Sequence, residues 1–290
     1  MKFAICLYWN VGISKDASAR LSSNLIEESK NASTDPTICY NNIKKLFLDK
    51  YDTDIFIHSW SKNYENVLNK LYEPKSSLFE DQLVFDVHLE DYGIYKDEKI
   101  ETWDVSDIAK QSYHLLLESR ENQEKLIKEL ELLSFRSQSR WYSTKKSVDL
   151  MKEFSDISNI KYDFVLLTRI DCLFKKEIDF SSLNNNMFYT SFRKGRKDEG
   201  IALYDFFFLS NQKFIEDFSS LYSDVYHYSI RPPFSSMEHA LNKFSENNIC
   251  HLLDYREDYD KVRMNEKQNR FIFSLRSFFK KIRAYWLQHK

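Results

Sequence analysis

Three short apolar runs, each ending in a polar segment, constrain this chain more than any other feature. They are Lys2 to Tyr8 (KFAICLY), Asp54 to Trp60 (DIFIHSW) and Tyr162 to Thr168 (YDFVLLT). Runs of this length, bounded by turn-forming residues, read as strands buried on both faces. Between the first two, residues 36 to 50 set Ile38, Ile43, Leu46 and Phe47 at roughly helical spacing. Strand, helix, strand is the opening of a parallel sheet, so the expected fold class is α/β with a mostly parallel central sheet flanked by helices.

Further strands are expected at 187 to 192 and 203 to 209, joined by the charged segment Lys194 to Gly200, and helices at 212 to 222 and 235 to 246. Residues 61 to 135 are acidic and helix-forming, with one long helix expected over 106 to 133, and read as a helical insertion. A separate helix is expected over 137 to 154. This divides the chain into a catalytic-type domain at 1 to 266, with its insertion, and a tail at 267 to 290.

Composition narrows the function. The 290 residues carry 42 Lys and Arg against 44 Asp and Glu, a formal net charge of -2, which argues against a general nucleic-acid binder. Four glycines in total leave no GxxxxGK[ST], GxGxxG or GxSxG, so P-loop kinases, Rossmann dehydrogenases and serine hydrolases are disfavoured. The four cysteines are widely spaced, without CxxC pairs, as expected of reduced thiols. With no signal-peptide core and no long apolar stretch, the expected location is the cytoplasm.

Loops at the carboxyl ends of strands are where open α/β sheets bind ligands. Asn10 follows the first strand; Arg169 and Asp171 follow the third, in KYDFVLLTRIDCLF. A guanidinium there suits phosphate oxygens, and a carboxylate suits a divalent cation held against a diphosphate. The same two residues equally read as an ordinary ion pair at a strand terminus. His58 lies inside an apolar strand, as a ligand contact or a hydrogen-bonded core residue. Gln138, Tyr142, Lys145 and Lys146 share one side of the 137 to 154 helix, facing either a nucleotide or solvent.

DIFIHSW, SQSRWYSTKKSVDLMKEF, YDFVLLTRID and YDFFFLSN occur in an order that resembles a family of bacterial capsule and lipopolysaccharide glycosyltransferases. The resemblance covers about two thirds of the chain, outside the insertion and tail. It implies a GT-A-like fold, a nucleoside diphosphate sugar donor, a glycan or lipid-linked glycan acceptor, and a divalent cation (manganese or magnesium) with Asp171 as metal ligand. Asn10, His58, Gln138, Tyr142, Lys145, Arg169 and Asp171 are then the donor-binding candidates. Arg169 stands where the family's DxD motif has its first acid, which departs from the pattern. A transferase of this kind needs a base for the acceptor hydroxyl, and Glu238 is the first candidate and Asp205 the second. Glu238 also reads as an acid complementing a helix N-terminus behind Pro232-Pro233.

Lys267 to Lys290 holds seven Lys or Arg and no acid, with Phe271, Leu275, Phe278, Ile282 and Tyr285 in one helical stripe. This describes an amphipathic helix lying on anionic lipid, and so a peripheral protein at the inner face of the cytoplasmic membrane. Two alternatives remain open: nucleotide-dependent transfer of a phosphorus-containing group onto a capsule sugar, and a non-catalytic glycan-assembly scaffold.

Overall fold

A computed structural model describes residues 1–9, 36–86, 88–120, 122–192 and 194–261. Strand β1 (Lys2–Tyr8) is followed by helix α1 (Pro36–Ile43), which widens into a π-helical turn over Lys44–Leu48, and then by β2 (Asp52–Ser59). Helix α2 (Glu65–Tyr72) leads to β3 (Ser76–Phe79), and α3 (Asp107–Leu117) to the long α4 (Gln123–Ser158). Then come β4 (Phe164–Arg169), β5 (Cys172–Phe174), β6 (Phe188–Phe192), β7 (Tyr204–Ser210), α5 (Gln212–Ser219), α6 (Pro232–Lys243), β8 (Ile249–Asp254) and β9 (Tyr259–Lys261).

Seven strands form one sheet in the order β3-β2-β1-β4-β7-β6-β8, and β5 pairs with β9 in a small second sheet. Strand β1 runs parallel to β2 and β4, β2 parallel to β3, and β6 parallel to β8; β7 alone runs against its neighbours. The expected mostly parallel α/β sheet is therefore present.

Side-chain alternation along β1 divides the core. Phe3, Ile5 and Leu7 pack with Ile43 of α1 and Leu68 of α2 on one face; Ala4, Cys6 and Tyr8 pack with Trp141, Val148 and Met151 of α4 on the other. Covering both faces is what lets these strands be apolar throughout. Each fully buried Leu, Ile or Phe contributes about 1.5–3 kcal/mol. All four cysteines are free thiols.

Two expectations change. The stretch 61 to 135 contains β3, an edge strand of the main sheet, so its first part belongs to the sheet. The part beyond it gathers a small core of its own, in which Leu89, Tyr92, Trp103, Tyr113 and Leu130 meet Ile230. The helices expected at 106 to 133 and 137 to 154 are also divided differently. The chain breaks before residue 123, where the Asn122 side chain caps α4 by accepting from the Lys125 N–H at 2.9 Å. From there α4 runs unbroken for 36 residues, roughly 54 Å. Ser134 and Ser137, between the two expected helices, are small buried residues within it. No described helix is long and apolar enough to cross a membrane.

Candidate functional site

Strand order reverses between β1 and β4. From β1 the chain proceeds outward to β2 and β3, while β4 returns to the other side of β1. At such a switch point the loops leave in opposite directions and open a crevice beyond the carboxyl ends of the strands. Tyr8, the last residue of β1, sits in register with His58 of β2 and Arg169 of β4, so residues from all three expected strands converge there.

Immediately after Tyr8, Trp9 has φ 94°, a left-handed conformation for a bulky residue. Holding a non-glycine residue there costs about 1–3 kcal/mol and concentrates at functional sites. The Trp9 N–H donates to Ser143 Oγ at 3.0 Å, and the Trp9 ring faces the Arg169 guanidinium at 4.9 Å.

The Arg169 and Asp171 side chains close on one another. Arg169 Nε donates to Asp171 Oδ1 at 2.8 Å and Nη2 donates to Oδ2 at 2.6 Å. Only 4% of Arg169 and 1% of Asp171 is exposed. Burial works against the arginine's charge, but the adjacent carboxylate outweighs it and holds the guanidinium protonated. The expectation of two groups standing open to a pyrophosphate gives way to a sealed, bidentate ion pair. A carboxylate already bonded through both oxygens is poorly suited to carry a metal alone. Among the described residues no group of three His, Cys, Asp or Glu side chains gathers to hold one.

A second buried cation, Arg140 of α4, completes the cluster and was missed. Its Nη2 donates to the Tyr8 hydroxyl at 2.6 Å, and that hydroxyl donates to the Asp205 carbonyl at 2.7 Å. Arg140 Nε lies 2.8 Å from Asp205 Oδ2 in an ion pair whose angle is too bent for a good hydrogen bond. Its Nη1 is buried with no hydrogen-bond partner among the described residues. Arg140 and Arg169 both lie over the Phe206 ring, at 5.7 and 5.0 Å. Asp205, the second candidate base, is thus the buried counter-ion of Arg140. The signal for Arg140 was a second stripe on the same helix: positions 140, 144, 147, 148 and 151 are all buried at helical spacing, beside the polar stripe chosen.

His58 joins the cluster through Ser143. His58 Nδ1 lies 2.7 Å from Ser143 Oγ and Nε2 lies 2.8 Å from Glu80 Oε1. Burial lowers the His58 pKa while Glu80 opposes the shift, so the ring is neutral at pH 7. A neutral ring fits Nε2–H donating to Glu80 while Nδ1 accepts from Ser143. The chain Glu80, His58, Ser143, Trp9 thereby holds the turn at the end of β1. Tyr142 packs beside it, its ring 5.7 Å from His58 and stacked on Trp60 at 5.1 Å. Lys145 pairs with Asp149 along α4 at 2.7 Å.

Gln138 and Glu238 belong elsewhere. Gln138 Nε2 donates to the Tyr226 hydroxyl at 2.8 Å. Because α6 begins at Pro232, Glu238 is nearly two turns inside it rather than at its N-terminus. It is buried, accepts from the Ser106 hydroxyl and from the Ser229 N–H at 2.7 Å, and burial raises its pKa against the pull of those bonds. Ser106 lines a cavity of about 510 Å³ between residues 90–109 and Tyr226–Tyr228. The Leu203 N–H donates to Pro233 O at 2.8 Å, so the approach to Asp205 abuts the helix that carries Glu238.

Asn10 and the 267 to 290 segment lie outside the described residues. Compared with models of known protein families and with curated proteins, the chain finds no match.

Proposed function

We propose that this chain is a GT-A-like glycosyltransferase that moves a sugar from a nucleoside diphosphate donor to a hydroxyl of a capsule or lipopolysaccharide glycan. The observation that carries the reading is the paired buried guanidinia, Arg140 and Arg169, with the strained Trp9, at the switch point of β1 and β4. A diphosphate leaving group needs positive charge held in place before it departs, and on this reading the diphosphate takes the place of Asp171 and Asp205 on two guanidinium groups already positioned over aromatic rings. Because Asp171 is bonded to Arg169 through both oxygens, the donor set does not fit a protein-held manganese or magnesium ion, and no step runs through one.

The acceptor oxygen attacks the anomeric carbon as its proton passes to a base, and the bond to the diphosphate breaks. Glu238 is the better base, since burial raises its proton affinity, whereas Asp205 is tied to Arg140. The basic, aromatic sequence of 267 to 290 would bring the enzyme to anionic lipid at the inner membrane face.

A thermal-shift screen against uridine, guanosine and cytidine diphosphates tests this reading. Stabilisation by at least one is expected, and none by the free nucleosides; no shift with any diphosphate contradicts it. The sealed Arg169–Asp171 pair favours a second reading, a non-catalytic member of a glycan-assembly complex. That reading expects glycan binding with no donor hydrolysis.

A further inference from the structure

The cavity beside Glu238 is separate in make-up from the cationic cluster at the strand ends. Its lining includes Glu90, Asp91 and Asp104, the four tyrosines Tyr92, Tyr95, Tyr226 and Tyr228, and one basic side chain, His227, but no Lys or Arg. At about 510 Å³ it falls within the range of small-molecule sites. Its apolar lining is limited to Val105 and Ala109 beyond the tyrosine rings, which is too little for a lipid chain.

Its rim is built by a close backbone approach. Gly93 has φ 71°, and a Cβ there would lie 2.0 Å from the Asp104 carbonyl oxygen, so only glycine lets the 90–93 turn meet Asp104. The Asp104 N–H then donates to Gly93 O at 2.9 Å. Tyr92 and Tyr226 meet edge-on with ring centroids 5.0 Å apart. The Tyr92 hydroxyl is buried near Gln138 but forms no hydrogen bond of normal geometry among the described residues.

We infer that this cavity is a binding site for a sugar ring that carries no negative charge. Tyrosine faces cover the C–H side of a pyranose, and carboxylates accept from pairs of its hydroxyls in charge-assisted bonds. Three acids with no Lys or Arg beside them, and a single histidine, His227, repel phosphate, sulfate and uronate groups, so a nucleotide is disfavoured and an amino sugar is favoured over a neutral one. That the bound sugar is the acceptor rests on the proposed transfer reaction, in which Ser106 joins the cavity wall to Glu238; the binding itself does not.

The test is saturation-transfer NMR on the full chain with D-glucosamine, D-glucose and D-glucuronate. Signals are expected in the order glucosamine, glucose, with none for glucuronate. Asp104→Asn and Tyr226→Ala should each weaken glucosamine binding by about tenfold or more. Melting temperatures confirm that both variants fold, and the charge series on the unaltered chain needs no variant at all. Glucuronate binding as well as glucosamine, or unchanged binding in both folded variants, overturns the inference. Loss of all sugar signals while a nucleoside diphosphate still raises the melting temperature sinks this site and leaves the donor reading standing. Sugar binding with no response to any diphosphate does the reverse.

Discussion

The Tyr8 hydroxyl receives a hydrogen bond from Arg140 Nη2 at 2.6 Å and passes one to the Asp205 carbonyl at 2.7 Å, which joins β1, α4 and β7 at a single atom. The phenol is buried, and burial pushes its pKa upward, so it remains a neutral relay of hydrogen bonds. Tyr8→Phe removes both bonds and leaves a guanidinium nitrogen without its acceptor. A loss of about 1–3 kcal/mol is expected in urea denaturation, with no loss on the same change at the exposed Tyr95.

The sealed pair on β4 makes an asymmetric prediction. Asp171→Ala strands the Arg169 guanidinium in the interior and should cost about 3–5 kcal/mol. Replacing both partners, as Arg169→Met with Asp171→Leu, should recover most of that loss. Chemical denaturation of the two variants checks the difference; equal losses would mean that the pair is not closed in solution.

Trp9 carries its strain locally. Trp9→Gly relieves the left-handed backbone, whereas Trp9→Ala keeps that penalty, and both lose the ring over Arg169. The glycine variant should therefore be the more stable of the two by about 1–2 kcal/mol. Equal stability in urea would show that Trp9 adopts an ordinary conformation.

His239 predicts how stability responds to acid. Burial drives its pKa down to about 4, with Lys243 lowering it further and Asp224 opposing. The folded protein thus binds this proton less readily than the unfolded chain, whose histidine titrates near about 6.5. Its contribution, about 3 kcal/mol, is present in full above the unfolded value and is lost as pH falls from about 6.5 toward 4. His239→Gln should flatten the profile over that window. Buried Glu238, with its raised pKa, works in the opposite direction and is common to both proteins.

Glu238 as base makes a kinetic prediction. The acid limb of kcat/KM should lie above the ordinary carboxylate range, because burial raises the group. Glu238→Gln should lower kcat by about 10²–10⁴-fold and abolish that limb. An unchanged pH profile in the variant assigns the base elsewhere.

Much of the sheet was legible because strands buried on both faces announce themselves by composition alone: β1 was bounded correctly, and β2, β4, β6 and β7 to within two residues at each end. Strands β3, β5, β8 and β9 were missed: β3, β5 and β9 are only three or four residues long, and β8 (ICHLLD) is broken by His251 and only half-buried at the sheet's edge. Strand-end position singled out Arg169 and Asp171, but spacing along a chain says nothing about whether two charges face a ligand or each other, and here they face each other. Arg140 was hidden because a buried arginine is identified by its partners, here Tyr8 and Asp205, which lie 132 residues away and across the fold on β7. Glu238 was misplaced at a helix end because its helix starts on the prolines rather than after them.

Amide hydrogen exchange, with and without a saturating nucleoside diphosphate chosen by thermal shift, tests the location of the donor most directly. The account predicts added protection at residues 7–9 and 168–172, at the ends of β1 and β4, reduced or lost in Arg169→Met. Protection confined to residues 90–106, or absent throughout, would contradict it.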